Sequence, residues 1–165
     1  MSNVSLHMPR CNDFSELTER AFGGFFAAHG FRRIGDPQYF GEDRKAGGPL
    51  CAWFFASEKC RFKFYHGDGE INLLVGEPNA PLSRLYEDSA WRYIRSIVKT
   101  TNRPPGPSKN YEGMIEELLQ LVESNYPAIC EAIGGYAPQG VSSMNSQQPN
   151  PSVKGTSCGK PQATP

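Results

Sequence analysis

The stretch "CRFKFYHGDGEINLLVGEP", Cys60 to Pro78, limits what this chain can fold into more than any other. Cys60, Phe62 and Phe64 alternate with Arg61, Lys63 and Tyr65, and after a break Ile71, Leu73 and Val75 resume the period of two. Successive side chains of an extended chain point to opposite faces, so each run describes a strand with one oily side. Between them, His66-Gly67-Asp68-Gly69 supplies an Asp and two glycines, which tolerate positive φ in a tight reversal. The pattern predicts an antiparallel hairpin, apolar on one face and wet on the other.

The same letters raise a chemical alternative. His66, Asp68 and Glu70 alternate like ligands on one face of an extended chain. A divalent ion would need several hard ligands converging from more than one segment, and no second acidic cluster of defined spacing completes such a shell. The turn is the better reading, and no metal ligand is assigned.

Around this hairpin, aromatic and β-branched runs separated by Gly, Pro and Asp predict strands at approximately Phe31 to Ile34, Gln38 to Gly41, Leu50 to Ala56, Lys59 to Tyr65 and Glu70 to Val75. Before them, Asn12 or Asp13 can cap a helix with Glu16 three residues on; Phe14, Leu17, Ala21, Phe22, Phe25 and Ala28 follow at helical spacing, and Gly30 ends the run. Gly23-Gly24 interrupts its propensity, which calls for a closely packed neighbour or an irregular helix. Two further helices are expected. One spans Leu82 to Thr101, with Leu85, Trp91, Ile94, Ile97 and Val98 as its apolar stripe, and the other spans Asn110 to Ile133, kinked or divided by Pro127 near Asn125. Asn102 to Lys109 reads as a linker. Strands in direct succession favour a meander, so the expected fold is α+β: an antiparallel β-meander of four to five strands packed in two layers against an N-terminal helix and two C-terminal helices. Residues 1–11 are expected to be flexible, 12–135 to form one domain, and 136–165, rich in Pro, Ser, Gln and Gly, to be a disordered tail.

Chemistry is sparse. The 17 basic and 17 acidic residues balance, so no overall field recruits nucleic acid or an anionic membrane. No apolar run is long enough to span a bilayer, and Met1 to Arg10 has neither the apolar core nor the cleavage site of a secretory signal, which predicts a cytoplasmic chain. The five cysteines, Cys11, Cys51, Cys60, Cys130 and Cys158, show no zinc-ligand spacing. They read as reduced thiols, with a Cys51 to Cys60 bridge as the alternative. Nucleophile elbows, P-loops, dinucleotide fingerprints and zinc-protease motifs are all absent, so no catalytic residue and no cofactor are assigned. A cysteine nucleophile, Cys60 or Cys51 near His66, is the enzyme alternative.

Two charged segments remain as candidate surfaces. Arg92, Arg95 and Lys99, with Trp91 and Tyr93 interleaved, could track phosphates as a basic helix; the neutral whole makes this nucleic-acid reading the weaker one. Glu112, Glu116 and Glu123 share a helical face in a segment without Lys or Arg. That stripe either pairs internally with the basic helix or faces a basic protein partner, with Tyr39 and Tyr65 as aromatic anchors.

A helix ending in "HGF", then "CAWFFASEKCRFKFYHGDGEINLLVGEP", a long loop and a C-terminal amphipathic helix resemble small bacterial immunity proteins of polymorphic or contact-delivered toxin systems, over approximately Phe14 to Ile133. The resemblance implies a non-enzymatic protein that holds a cognate toxin by surface complementarity, often plugging its active site, without a cofactor. It implies no particular binding residue.

Overall fold

The structure, a computed structural model, describes residues 10–82, 89–98 and 110–134. The expected linker, the 136–165 tail and most of the 1–11 segment lie outside those residues. The elements run α1 (Cys11–His29), β1 (Arg32–Glu42), β2 (Pro49–Ala56), β3 (Arg61–Gly67), β4 (Glu70–Gly76), β5 (Trp91–Tyr93), α2 (Ile94–Ile97) and α3 (Tyr111–Gly134). The strands form one antiparallel meander in the order β1-β2-β3-β4-β5. α1 and α3 pack on one face of it and against each other. The α+β architecture expected from the sequence is the one observed.

The opening hairpin is a turn. Gly67 pairs with Glu70, which leaves Asp68 and Gly69 as a two-residue loop, both at positive φ (53° and 74°). Such a loop matches the right-handed twist of the strands, and Asp-Gly can adopt it at little steric cost. In consequence Cys60, Phe62, Phe64, Ile71, Leu73 and Val75 all enter the core under the helices.

The register also places Trp53 opposite Phe64 and Phe55 opposite Phe62, and their rings meet those of Phe14, Phe22, Phe25, Phe26 and Phe31. The layer between sheet and helices is therefore largely aromatic. Within it, Trp53 Nε1–H donates to Thr18 Oγ1 (3.0 Å), and the Thr18 hydroxyl donates to the Phe14 carbonyl (2.8 Å). The indole is thus buried without stranding its donor.

Several expectations are corrected. β1 is one strand rather than two, with register irregularities between Ile34 and Gln38 and between Tyr39 and Glu42. The sheet face away from the helices is not wet: Ala52, Phe54, Leu74, Ala80 and Trp91 form a second buried cluster, and Lys63 is fully buried beside it, 5.7 Å from the centre of the Trp91 ring. The 82–101 helix gives way, where described, to β5 and the four-residue α2, because Trp91 to Tyr93 extend to pair with Leu74 to Gly76. Trp91 Nε1–H donates to the Pro81 carbonyl there (2.9 Å). Pro127 does not divide α3, which runs unbroken past it. Pro127 lies on the exposed side of the helix.

α1 begins at Cys11, earlier than the expected cap. The Arg10 backbone N–H donates to the Asp13 carboxylate (2.8 Å), which ties down the first turn. Gly30 closes the helix in the left-handed conformation with Phe31 N–H reaching back to the Phe26 carbonyl (2.9 Å). Gly23 and Gly24 are exposed in a continuous helix, and a Cβ at either would meet no atom within 4 Å. No packing requirement explains them. Gly23→Ala and Gly24→Ala should each raise the unfolding free energy by about 1 kcal/mol, the difference in helix propensity. Urea denaturation of the two variants checks this, and a loss of stability in either would contradict the open geometry.

Candidate functional site

Three places gather the residues singled out in the sequence: the end of the hairpin around His66, the outer face of the helices, and the cavity at the start of α1.

His66 is not in the bend but at the inner end of β3, fully buried, opposite Cys51 on β2 and Ile71 on β4. Its Nδ1 lies 2.5 Å from the Pro49 carbonyl, and since a carbonyl only accepts, Nδ1 carries the proton. Nε2 is then left to accept from the Tyr111 hydroxyl, 3.3 Å away. Phe14 stacks on the ring at 4.5 Å. His66 is thus a neutral imidazole joining the start of β2 to the start of α3, and Asp68 and Glu70 point out to solvent. Among the described residues, no group of His, Cys, Asp and Glu could hold a metal ion.

Burial lowers the His66 pKa, against the opposing pull of the Pro49 carbonyl and the nearby Asp43 charge. Asp43 is itself held below the usual carboxylate range by backbone amides, chiefly those of Ala46 and Lys45, and so stays anionic. The sign for His66 follows. Its unfolded pKa, about 6.5, exceeds its folded one, so as pH falls below that value the unfolded chain takes up a proton that the folded chain refuses. Stability should decline from about pH 6.5 down to the folded pKa, by at most about 1.4 kcal/mol per pH unit. Urea unfolding followed across this window should show a shallower dependence in His66→Gln; identical slopes would remove the assignment.

The helical face concentrates charge. α1 and α3 carry Asp13, Glu16, Glu19, Glu112, Glu116, Glu117, Glu123 and Glu131 against one arginine, Arg20, and His29 in the last turn of α1. Glu112, Glu116 and Glu123 are all exposed on α3. Glu112 pairs with Arg20 across the helix boundary at 3.1 Å, with the two side chains 58% and 73% exposed, so the pair contributes little. Internal pairing of the stripe with a basic helix does not occur among the described residues. Arg92 lies on a strand and donates to the Ala132 carbonyl (3.3 Å), Arg95 is exposed on α2, and Lys99 lies outside the described residues. Arg92 and Arg95 thus sit on a strand and a four-residue helix rather than along one basic helix.

The aromatic anchors separate. Tyr39 is exposed at 55%, with its hydroxyl donating to the Glu42 carboxylate (2.8 Å). Tyr65 is half-buried: it stacks on Phe40 (ring centres 5.6 Å apart) and leans over Gly67, where a Cβ would come within 2.5 Å of its ring. Only Tyr39 stands open to a partner.

The third place was invisible in the sequence. Cys11 and Cys51 are joined by a disulfide, Cα atoms 5.6 Å apart, which overturns both the all-reduced reading and the Cys51 to Cys60 alternative. Cys60 does not face Cys51 in the register, since Cys51 pairs with His66. It remains a buried free thiol, pushed up to about 12 by burial with Cys130 close by. The Cys51 sulfur opposite His66 is thus engaged, and a nucleophile–base pair there is not formed. Cys11 lies in the wall of an open cavity of about 390 Å³ that Arg10, Asn12, Tyr39 and Glu42 also line. Spacing could not reveal this, because 40 residues separate the two cysteines and the first sits on a helix.

No family model, curated protein or solved structure matches this chain. Its function has to be read from its surfaces. Among the described residues no helix is long and apolar enough to cross a membrane.

Proposed function

We propose that this chain is a protein-binding module that presents the α1/α3 face to a basic protein surface, and that it acts as an immunity protein, occluding a cognate bacterial toxin. The observation that carries the binding reading is the segregation of charge: a chain with formal net charge of zero places eight acids and one arginine on its two long helices. A face of one sign steers a partner of the other and sets orientation on encounter. The immunity reading adds the resemblance in the sequence and the absence of recognised catalytic motifs. Glu116 and Glu123 form the centre of the contact, with Glu112 at its Arg20 edge and Tyr39 as an aromatic contact at the sheet edge.

Co-expression with the product of a neighbouring toxin-like gene, followed by kinetic binding measurements on the purified pair, tests the reading. Glu116→Lys combined with Glu123→Lys should slow association about tenfold at low ionic strength and flatten its salt dependence. An unchanged association rate would remove this face as the interface, and failure of the pair to associate at all would remove the immunity reading. The cytoplasmic placement expected from the sequence is the part of the reading that the Cys11–Cys51 bond weighs against, because reducing compartments keep such pairs open. Trapping the thiols by acid at the moment of cell lysis measures which state the cell maintains.

A further inference from the structure

The Cys11–Cys51 bond is asymmetric in its surroundings. Cys51 is 0% exposed, enclosed between β1 and β3 where Tyr39 and His66 are its register partners. Cys11, 8% exposed, is the first residue of α1 and forms part of the cavity wall. The cavity's volume, about 390 Å³, falls within the roughly 300–1,000 Å³ usual for small-molecule sites. On its helix side stand Arg10, a cation, and Asn12; on its strand side stands Glu42, engaged by the Tyr39 hydroxyl.

We propose that Cys11 is a thiol–disulfide exchange site for a small peptidyl thiol seated in this cavity. The incoming thiolate attacks Cys11 Sγ, a new S–S bond forms between them, and the Cys11–Cys51 bond breaks with Cys51 leaving as a thiolate that takes up a proton. The product is a mixed disulfide on Cys11 and a free Cys51 thiol. Return attack by Cys51 on Cys11 closes the original bond and releases the small thiol, so the cycle needs no external oxidant. Attack at Cys51 is blocked by its enclosure. A peptidyl thiol suits the walls because its carboxylates can meet the Arg10 guanidinium while its amides meet Asn12 and the Tyr39 ring. Opening the bond frees the first turn of α1 from β2, leaving the Asp13 contact to the Arg10 amide and the burial of Phe14 to hold it.

The test uses the full chain in a Cys130→Ser, Cys158→Ser background, where Cys60, buried and high in pKa, is the remaining thiol. Cys51→Ser and Cys11→Ser are each incubated, folded, with oxidised glutathione, and adducts are followed by intact mass and peptide mapping. Cys11 in the first variant should acquire glutathione at least about tenfold faster than Cys51 in the second. Wild-type protein treated with reduced glutathione and quenched in acid should carry its adduct on Cys11. Equal rates in the two variants, or a wild-type adduct on Cys51, would overturn the proposal. If circular dichroism shows that either variant is unfolded, the wild-type trapping experiment alone decides: an adduct on Cys11 supports the site, and its absence overturns it.

Discussion

Replacing Cys11 by Ser should lower the unfolding free energy by about 4 kcal/mol, the value that the chain-entropy relation gives for a closed loop of 40 residues. The reference for that figure is the unfolded chain: the bond between the start of α1 and β2 forbids most of the conformations that an open chain would explore. Single domains have about 5–15 kcal/mol in all, so the loss would take a large share. Urea denaturation with and without reductant should reproduce the same difference in the wild-type chain, while Cys11→Ser should no longer respond to reductant. A change below about 1 kcal/mol in both experiments would mean that the folded contacts around α1 hold it without the bond. The consequence is also local, because the freed turn carries Arg10 and Cys11, two walls of the cavity.

Phe14→Ala should cost about 3–5 kcal/mol, the range for deleting a buried aromatic ring. Phe14 is 1% exposed and touches three rings from three different elements: Trp53 on β2 at 5.7 Å, His66 on β3 at 4.5 Å and Tyr111 on α3 at 5.0 Å, the last edge-on. Its removal leaves a void that none of those rings can fill, since each is fixed elsewhere: Trp53 by Thr18, His66 by the Pro49 carbonyl, and Tyr111 by His66. Phe14→Leu retains most of the volume and should cost less than about 1.5 kcal/mol. Thermal and urea unfolding of the pair measures both values. Equal losses in the two variants would show that ring contacts, rather than filled volume, set the cost, and a loss below 1 kcal/mol for Ala would show that the site collapses.

Much of the fold could be read in advance where local rules act. The period of two from Cys60 to Val75, the Asp-Gly reversal and the helical spacing of Phe14, Phe22 and Phe25 each depend on residues close together in the chain, and each appears in the structure as expected. The misreadings share another origin. Trp91, Ile94 and Val98 have helical spacing, yet Trp91 to Tyr93 are drawn straight by the open edge of β4, whose unpaired backbone groups offer a hydrogen-bonding ladder that local propensity cannot anticipate. His66 looked like part of a bend because glycine follows it, although register pairing with Cys51 and Ile71 carries it into the core. The candidate surfaces divide in the same way. The Glu112, Glu116 and Glu123 stripe follows from helix geometry alone, whereas the Arg20–Glu112 contact that joins its first residue to α1 needed the packing of the two helices.

Alternation and turn chemistry are properties of neighbouring residues, so the amino-acid order by itself determined that this protein would be an antiparallel meander whose alternating aromatic positions pack against amphipathic helices. Which distant residues meet was decided only by the tertiary structure. The pairing of Cys11 with Cys51, the enclosure of His66 between Phe14 and Tyr111, and the burial of Lys63 all depend on how the helices and sheet settle on one another. Contacts of that kind arise from minimising exposed apolar area over the whole chain at once, and no short window of sequence contains that sum.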